Sequence, residues 1–234
     1  MPRLIAALVR HGEYRQLPDT PSAHQPFPLV PRGQQQAREG AALVREALTN
    51  QQLGLWPRVD SSRLLRAWQT AEVMLDELSD LLPSPPKLDS HDELAERCVG
   101  SAANLSMSEI EAIVREDPRY PELPADWKSN SRFRLPLQGA ESLLEAGERV
   151  AGHLRTQMSL LATQTPADTL KLFVGHGAAF RHAAHHLGVL AFEDIERLSM
   201  YHAHPVLLEY QPQGPWQHVG GEWKVRSRDD RPMD

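Results

Sequence analysis

Short apolar runs and helical stripes alternate along this chain. Residues 3–9, "RLIAALV", are apolar without polar alternation, the pattern of a strand covered on both faces. Residues 12–31 read as loop, with Pro18, Pro21, Pro26, Pro28 and Pro31. Over 32–50, Ala37, Ala41, Val44 and Leu48 recur at spacings of three and four and predict a helix. "RVDSS" (58–62) predicts a second strand running into a helix whose stripe is Leu64, Ala67, Ala71, Met74, Leu75 and Leu78.

"PSPP" at 83–86 punctuates the chain, and an extended segment "KLDS" follows. Ser106 and Glu109 have capping-box spacing ahead of "IEAIVRE". Residues 117–139 are a second irregular, proline-bearing stretch. A long helix is predicted over about 141–164, with Leu143, Gly147, Val150, Leu154, Met158 and Leu161 on one face. "TLKLFVG" is a third buried strand, "AAFRHAAHHLG" a helix stopped by Gly188, "PVLLEY" a fourth strand, and "EWKV" lies near a last one.

Strands alternating with helices imply an α/β fold, a mainly parallel sheet with helices on both faces. Ligands of such sheets bind beyond the carboxyl ends of the strands. We expect a single domain over 1–225, with loop insertions at about 13–31 and 101–139 lying over one sheet edge, and a frayed tail at 226–234.

Composition narrows the function classes. Hydrophobic residues make up 41% and charged residues 24%, the balance of a globular chain with a substantial core. The formal charge of −6 and the absence of any basic run argue against a nucleic-acid partner. No apolar run reaches the roughly 20 residues that span a bilayer, so no membrane partner is expected. Cys98 is the single cysteine, and Met1 leads almost directly into the first strand without a signal-like segment, so a cytoplasmic location is expected. Oligomeric state is left open, with a homodimer among the options.

Three predicted strands end in polar residues. One ends in Arg10-His11-Gly12, one leads to Arg63 or Arg66, and one ends in Gly175-His176-Gly177. As parallel neighbours they would gather two histidines and at least two arginines in one pocket. Arginine's planar fork suits phosphate oxygens, and the helix after Gly177 adds backbone N–H groups. That combination is an oxyanion pocket with a nucleophile inside it.

Four segments carry a resemblance: "LVRHGEY", "SSRLLRAWQTAEV", "ELAERCVG" and "FVGHGAAFR", in that order. With "GAESLLEAGERV" the chain resembles the histidine phosphatase superfamily, the phosphoglycerate mutase-like proteins, over roughly residues 3 to 210. The resemblance implies that His11 takes the phosphoryl group and that Arg10, Arg66 and His176 clamp its oxygens. It implies that Glu96 protonates the leaving oxygen and then activates water, with Glu93 as the competitor for that role. Gly177, Tyr14, Arg15, Arg97 and His204 are the further substrate-binding candidates. No cofactor and no metal are implied, and the expected partner is a small phosphorylated molecule.

Departures from the family pattern are also legible. After "RHGE" the family carries a threonine and then a phosphate-contacting asparagine, whereas "YRQLPD" stands here. Tyr14, Arg15 or Gln16 is expected to supply that contact. His202 and His204 stand where relatives carry a small polar residue. His182, His185 and His186 are expected on a helix surface. The expected reaction is phosphate monoester hydrolysis through a phosphohistidine at His11. The alternatives are a phosphomutase, for which Lys128, Arg132 and Arg134 would supply a sparse second anion site, and a non-catalytic phospho-ligand module.

Overall fold

The computed structural model describes residues 2–82 and 85–226. The frayed tail expected at 226–234 lies, from residue 227 on, outside the described residues, as do Pro83 and Ser84 of the "PSPP" punctuation. In chain order the elements are β1 (Leu4–Arg10), α1 (Pro31–Gln51), β2 (Gly54–Leu55), β3 (Arg58–Ser62), α2 (Leu65–Glu77) and β4 (Lys87–His91). There follow α3 (Met107–Glu116), α4 (Leu143–Gln164), β5 (Thr169–Gly175), α5 (Gly177–His186), α6 (Phe192–Ile195), β6 (Leu198–Ser199), β7 (Pro205–Glu209), β8 (Gln217–Gly220) and β9 (Lys224–Val225).

The main sheet runs β4-β3-β5-β1-β7-β8, with β2 also on β5. β4, β3, β5 and β1 are parallel, which brings Arg10 level with Gly175. "PVLLEY" forms β7, but antiparallel to β1. The chain reaches β7 along the carboxyl edge of the sheet, where the Ala203 amide donates to the Arg10 carbonyl (2.8 Å), so it enters β7 from that edge and runs back.

β1 is apolar at every inner position because both faces are covered. Ile5, Ala7 and Val9 pack with Ala37, Val44 and Met74 of α1 and α2, while Leu4, Ala6 and Leu8 pack with Val150, Leu154 and Phe180 of α4 and α5. Each fully buried Leu or Ile contributes roughly 1.5–3 kcal/mol. Pro31 opens α1 at a position where its missing N–H is no loss. Capping boxes open α3 (Ser106 with Glu109) and α4 (Ser142 with Glu145).

The two irregular stretches meet. Ala23 of the first packs with Trp127 and Leu135 of the second, and with Val99, Ala102 and Ile110 of α3 and the segment before it, in a third, smaller core. Among the described residues no helix is long and apolar enough to cross a membrane.

Candidate active site

Parallel pairing of β1 with β5 carries Arg10-His11 and His176-Gly177, at the carboxyl ends of the two strands, to one edge. The His11 amide donates to the Gly175 carbonyl at 3.0 Å, extending the ladder by one residue. Gly12 and Gly33 then pass backbone against backbone: a Cβ on Gly12 would lie 2.4 Å from the Gly33 carbonyl oxygen. The Gly12 amide donates to Thr70 Oγ1 (2.9 Å), whose hydroxyl donates to the Arg66 carbonyl (2.7 Å). The loop carrying His11 is thereby tied to the helix carrying Arg66.

The imidazole of His11 is only 2% exposed. Its Nε2 accepts from Arg66 Nε at 3.2 Å, so its Nδ1 carries the proton and donates to the Gly12 carbonyl at 2.8 Å. Nε2 therefore presents a lone pair. Burial holds His11 well below the usual histidine range, and the cations Arg66 and Arg10, with His176 and His202 alongside, push the same way. The ring is neutral at pH 7, the state a nitrogen nucleophile needs.

Arg66, wholly buried at the start of α2, offers two edges. One faces the histidines, with Nε on His11 and Nη2 3.3 Å from His176 Nδ1. The other is held by three backbone carbonyls of the first irregular stretch: Nη1 donates to Gln25 (2.8 Å), Nη2 to Ser22 (3.0 Å) and Ala23 (2.8 Å). The Tyr14 ring lies 4.5 Å from its guanidinium carbon. His176, with its Nδ1 facing an N–H, donates from Nε2 to Ser62 Oγ at 2.9 Å. Burial and then Arg66 hold His176 well below its ordinary value as well. Arg10 donates from Nη1 to the Met200 carbonyl at 3.1 Å.

Glu96 is buried, and its Oε1 accepts from the Arg97 amide (2.9 Å) and the Ala179 amide (3.2 Å) in the first turn of α5. Glu93 is exposed on the short turn before it. Of the two glutamates, Glu96 alone joins the cluster. Two arginines, two neutral histidines and one carboxylate thus converge on a site suited to an anion of two charges.

The other expected residues divide. Arg63 is exposed and paired with Asp92 (3.1 Å), which leaves Arg66 as the site arginine. Tyr14 is buried against Arg66, its hydroxyl 2.8 Å from Ser22 Oγ. Arg15 is not in the cluster: it is exposed, over the Phe27 ring at 5.5 Å. Gln16 donates to the Thr20 carbonyl (3.3 Å). Arg97 is buried behind Glu96. His202 donates from Nδ1 to the His11 carbonyl at 2.8 Å, and His204 is exposed beside Tyr201. Both line a cleft of about 520 Å³ that also touches Arg10 and Arg32.

The expectation that His182 lies on a helix surface is corrected. It is buried, bonded through Nδ1 to the Ala178 carbonyl (2.7 Å) and through Nε2 to Ser131 Oγ (2.9 Å). Its pKa is lowered to about 3 by burial. Gly147 lets α4 approach that closely, since a Cβ there would sit 2.3 Å from the His182 Cβ. His185 and His186 are half-buried.

Sequence reading missed Thr70, Ser62, Gln25 and the carbonyls on Arg66. Thr70 was available, four residues after Arg66 in "RAWQT". The carbonyls carry no side-chain signal. Among the described residues, Asp60, His91 and His153 have donor atoms close enough together for a metal ion. The Lys171 ammonium lies 2.7 Å from the Asp60 carboxylate and already neutralises it, so the group reads as a buried ion network.

Residues 6–220 match the family model described as histidine phosphatase superfamily (branch 1). The chain belongs to that superfamily. A mitochondrial serine/threonine-protein phosphatase, Pgam5 of Drosophila persimilis, is 26% identical over 210 residues, covering 88% of this chain and 58% of the relative. The chain thus spans less than two thirds of that relative's length. A mycobacterial glucosyl-3-phosphoglycerate phosphatase shares the fold at TM-score 0.64 and 20% identity, over 96% of this chain and 98% of that one. A phosphoglycerate mutase from Bacillus anthracis does so at TM-score 0.69 and 16% identity, over 94% and 93%. In this member of the histidine phosphatase superfamily, Tyr14 and the Gln25 loop, which follow "RHGE", surround Arg66.

Proposed function

We propose that this protein hydrolyses a phosphate monoester through a phosphohistidine at His11. The observation that carries the reading is the His11 Nε2 lone pair, neutral and buried, facing the Arg66 Nε–H at 3.2 Å. In the first step Nε2 attacks phosphorus, the P–N bond forms and the P–O bond to the leaving group breaks. Glu96 delivers a proton to the departing oxygen. Arg10, Arg66 and His176 neutralise the non-bridging oxygens, where phosphoryl transfer concentrates charge. Glu96 then takes a proton from water, whose oxygen attacks phosphorus, breaking P–N and releasing inorganic phosphate.

The cations already at the site support a metal-independent reaction. The cleft beside Arg10 supports a small phosphorylated substrate, with His202 and His204 along the leaving group. A mutase would need a second anion site, but Arg134 is paired with Glu145 (3.2 Å) and Arg132 lies over the Phe192 ring (4.6 Å), which favours hydrolysis. A non-catalytic binding module would have no use for a buried Glu96. The same proposal treats residues 1–225 as one catalytic unit acting in the cytoplasm, a reducing compartment compatible with a lone cysteine. Trapping during turnover tests the central step: acid-labile, base-stable label is expected on His11 and none in His11→Ala. Label on another residue overturns the assignment.

A further inference from the structure

We propose that Gln25 is a positioning residue for the reaction, acting through Arg66; this rests on the phosphatase reading above. Gln25 lies in the stretch between β1 and α1 and is fully buried. Its Oε1 accepts from the Leu17 amide (2.9 Å), and its Nε2 donates to the carbonyls of Pro21 (2.9 Å) and Thr20 (3.4 Å). One amide thus closes both ends of the 17–25 turn, and its own backbone carbonyl is the acceptor of Arg66 Nη1 at 2.8 Å.

The stretch needs such a staple. Pro18, Pro21, Pro26 and Pro28 have no N–H to give, and the backbone pairs across the stretch only at its base, where the Arg15 amide donates to the Pro28 carbonyl (3.1 Å) and the Val30 amide to the Glu13 carbonyl (3.0 Å). Its conformation nevertheless decides where three carbonyls, of Ser22, Ala23 and Gln25, sit against the outer edge of Arg66. Those carbonyls fix the guanidinium plane and leave the Nε–H aimed at His11, while Nη2, which donates to Ser22 and Ala23, lies 3.3 Å from His176 Nδ1 at the same edge, where phosphoryl oxygens would bind. A planar fork stabilises two oxygens only when its plane is fixed. Glutamine is the side chain that fits, because one group must accept from an amide while also donating to carbonyls.

A double-mutant cycle tests the role, reading kcat/KM with p-nitrophenyl phosphate for wild type, Gln25→Ala, Arg66→Ala and the double variant. Gln25→Ala should lower kcat/KM by roughly 10- to 100-fold, the scale of a misplaced catalytic group, and should weaken inhibition by inorganic phosphate. In the Arg66→Ala background it should cost nothing more. Equal fold-losses in both backgrounds, or wild-type turnover in Gln25→Ala while Arg66→Ala is impaired, overturn the positioning role alone. An Arg66→Ala enzyme as active as wild type removes Arg66 from the clamp and the positioning role with it, whereas a wild-type protein that does not turn over p-nitrophenyl phosphate removes the phosphatase reading. If Gln25→Ala does not fold, Gln25→Glu is read in the same cycle. It keeps the shape and the Leu17 acceptor but loses both donors, and the same outcomes decide.

Discussion

Replacing Lys171 by methionine should cost this protein about 3–5 kcal/mol, the penalty for leaving a buried charge without its partner. Lys171 sits in the middle of β5, 2% exposed, with Nζ 2.7 Å from Asp60 Oδ1; Asp60 is 1% exposed on the neighbouring strand β3. His153 Nε2 holds the other carboxylate oxygen at 2.9 Å. Burial pushes the Asp60 carboxyl up, but the His153 hydrogen bond and the Lys171 ammonium outweigh it and hold it below the usual range. Asp60 therefore adds stability at neutral pH that is lost as pH falls through its depressed value. In Lys171→Met the carboxyl would be raised instead, so the sign reverses and the gap to wild type should narrow as pH is lowered. Urea denaturation reads the loss directly, and thermal melting should fall by about 6–20 °C for a chain of this size. The double variant Asp60→Asn/Lys171→Met should recover most of it, because a neutral amide can still accept from His153 and no bare charge remains. A single variant within about 1 kcal/mol of wild type would refute the argument. So would a double variant as unstable as the single, since the cost would then be packing and not charge.

Three further outcomes follow from the site. Glu96→Gln should slow an alkyl phosphate far more than p-nitrophenyl phosphate, because only a basic leaving oxygen needs the proton, while Arg66→Ala should harm both; equal losses in Glu96→Gln would return Glu93 to consideration. Activity should survive EDTA, and loss restored by a divalent ion would point to a metal-assisted site. His11, His176 and His182 stay neutral in the fold below pH 6.5, where the unfolded chain takes up protons, so stability should fall with decreasing pH by up to about 1.4 kcal/mol per unit for each. His182→Asn should remove one such increment from the slope between about pH 6 and 4, and an unchanged slope would show that His182 is protonated in the fold.

The sequence by itself determined the layered architecture and three residues of the candidate site. Apolar runs marked β1, β5 and β7, and helical stripes marked α1, α2 and α4, because covering both faces of a sheet leaves that pattern wherever it occurs. Arg10, His11 and His176 were legible because each stands at the end of such a run. Arg66 and Glu96 were expected from the resemblance; the phase of α2 and the entry of a short turn bring both inward and leave Arg63 and Glu93 exposed. Tertiary structure alone supplied the rest. The partner of Lys171 depends on the register of β3 against β5, where Asp60 stands opposite Phe173, and on α4 bringing His153 across. His182 read as surface because nothing local reveals that Gly147 lets α4 cover it. The carbonyls that hold Arg66 are backbone groups present in every residue, so their grouping by the Gln25 turn has no signature until the loop is folded.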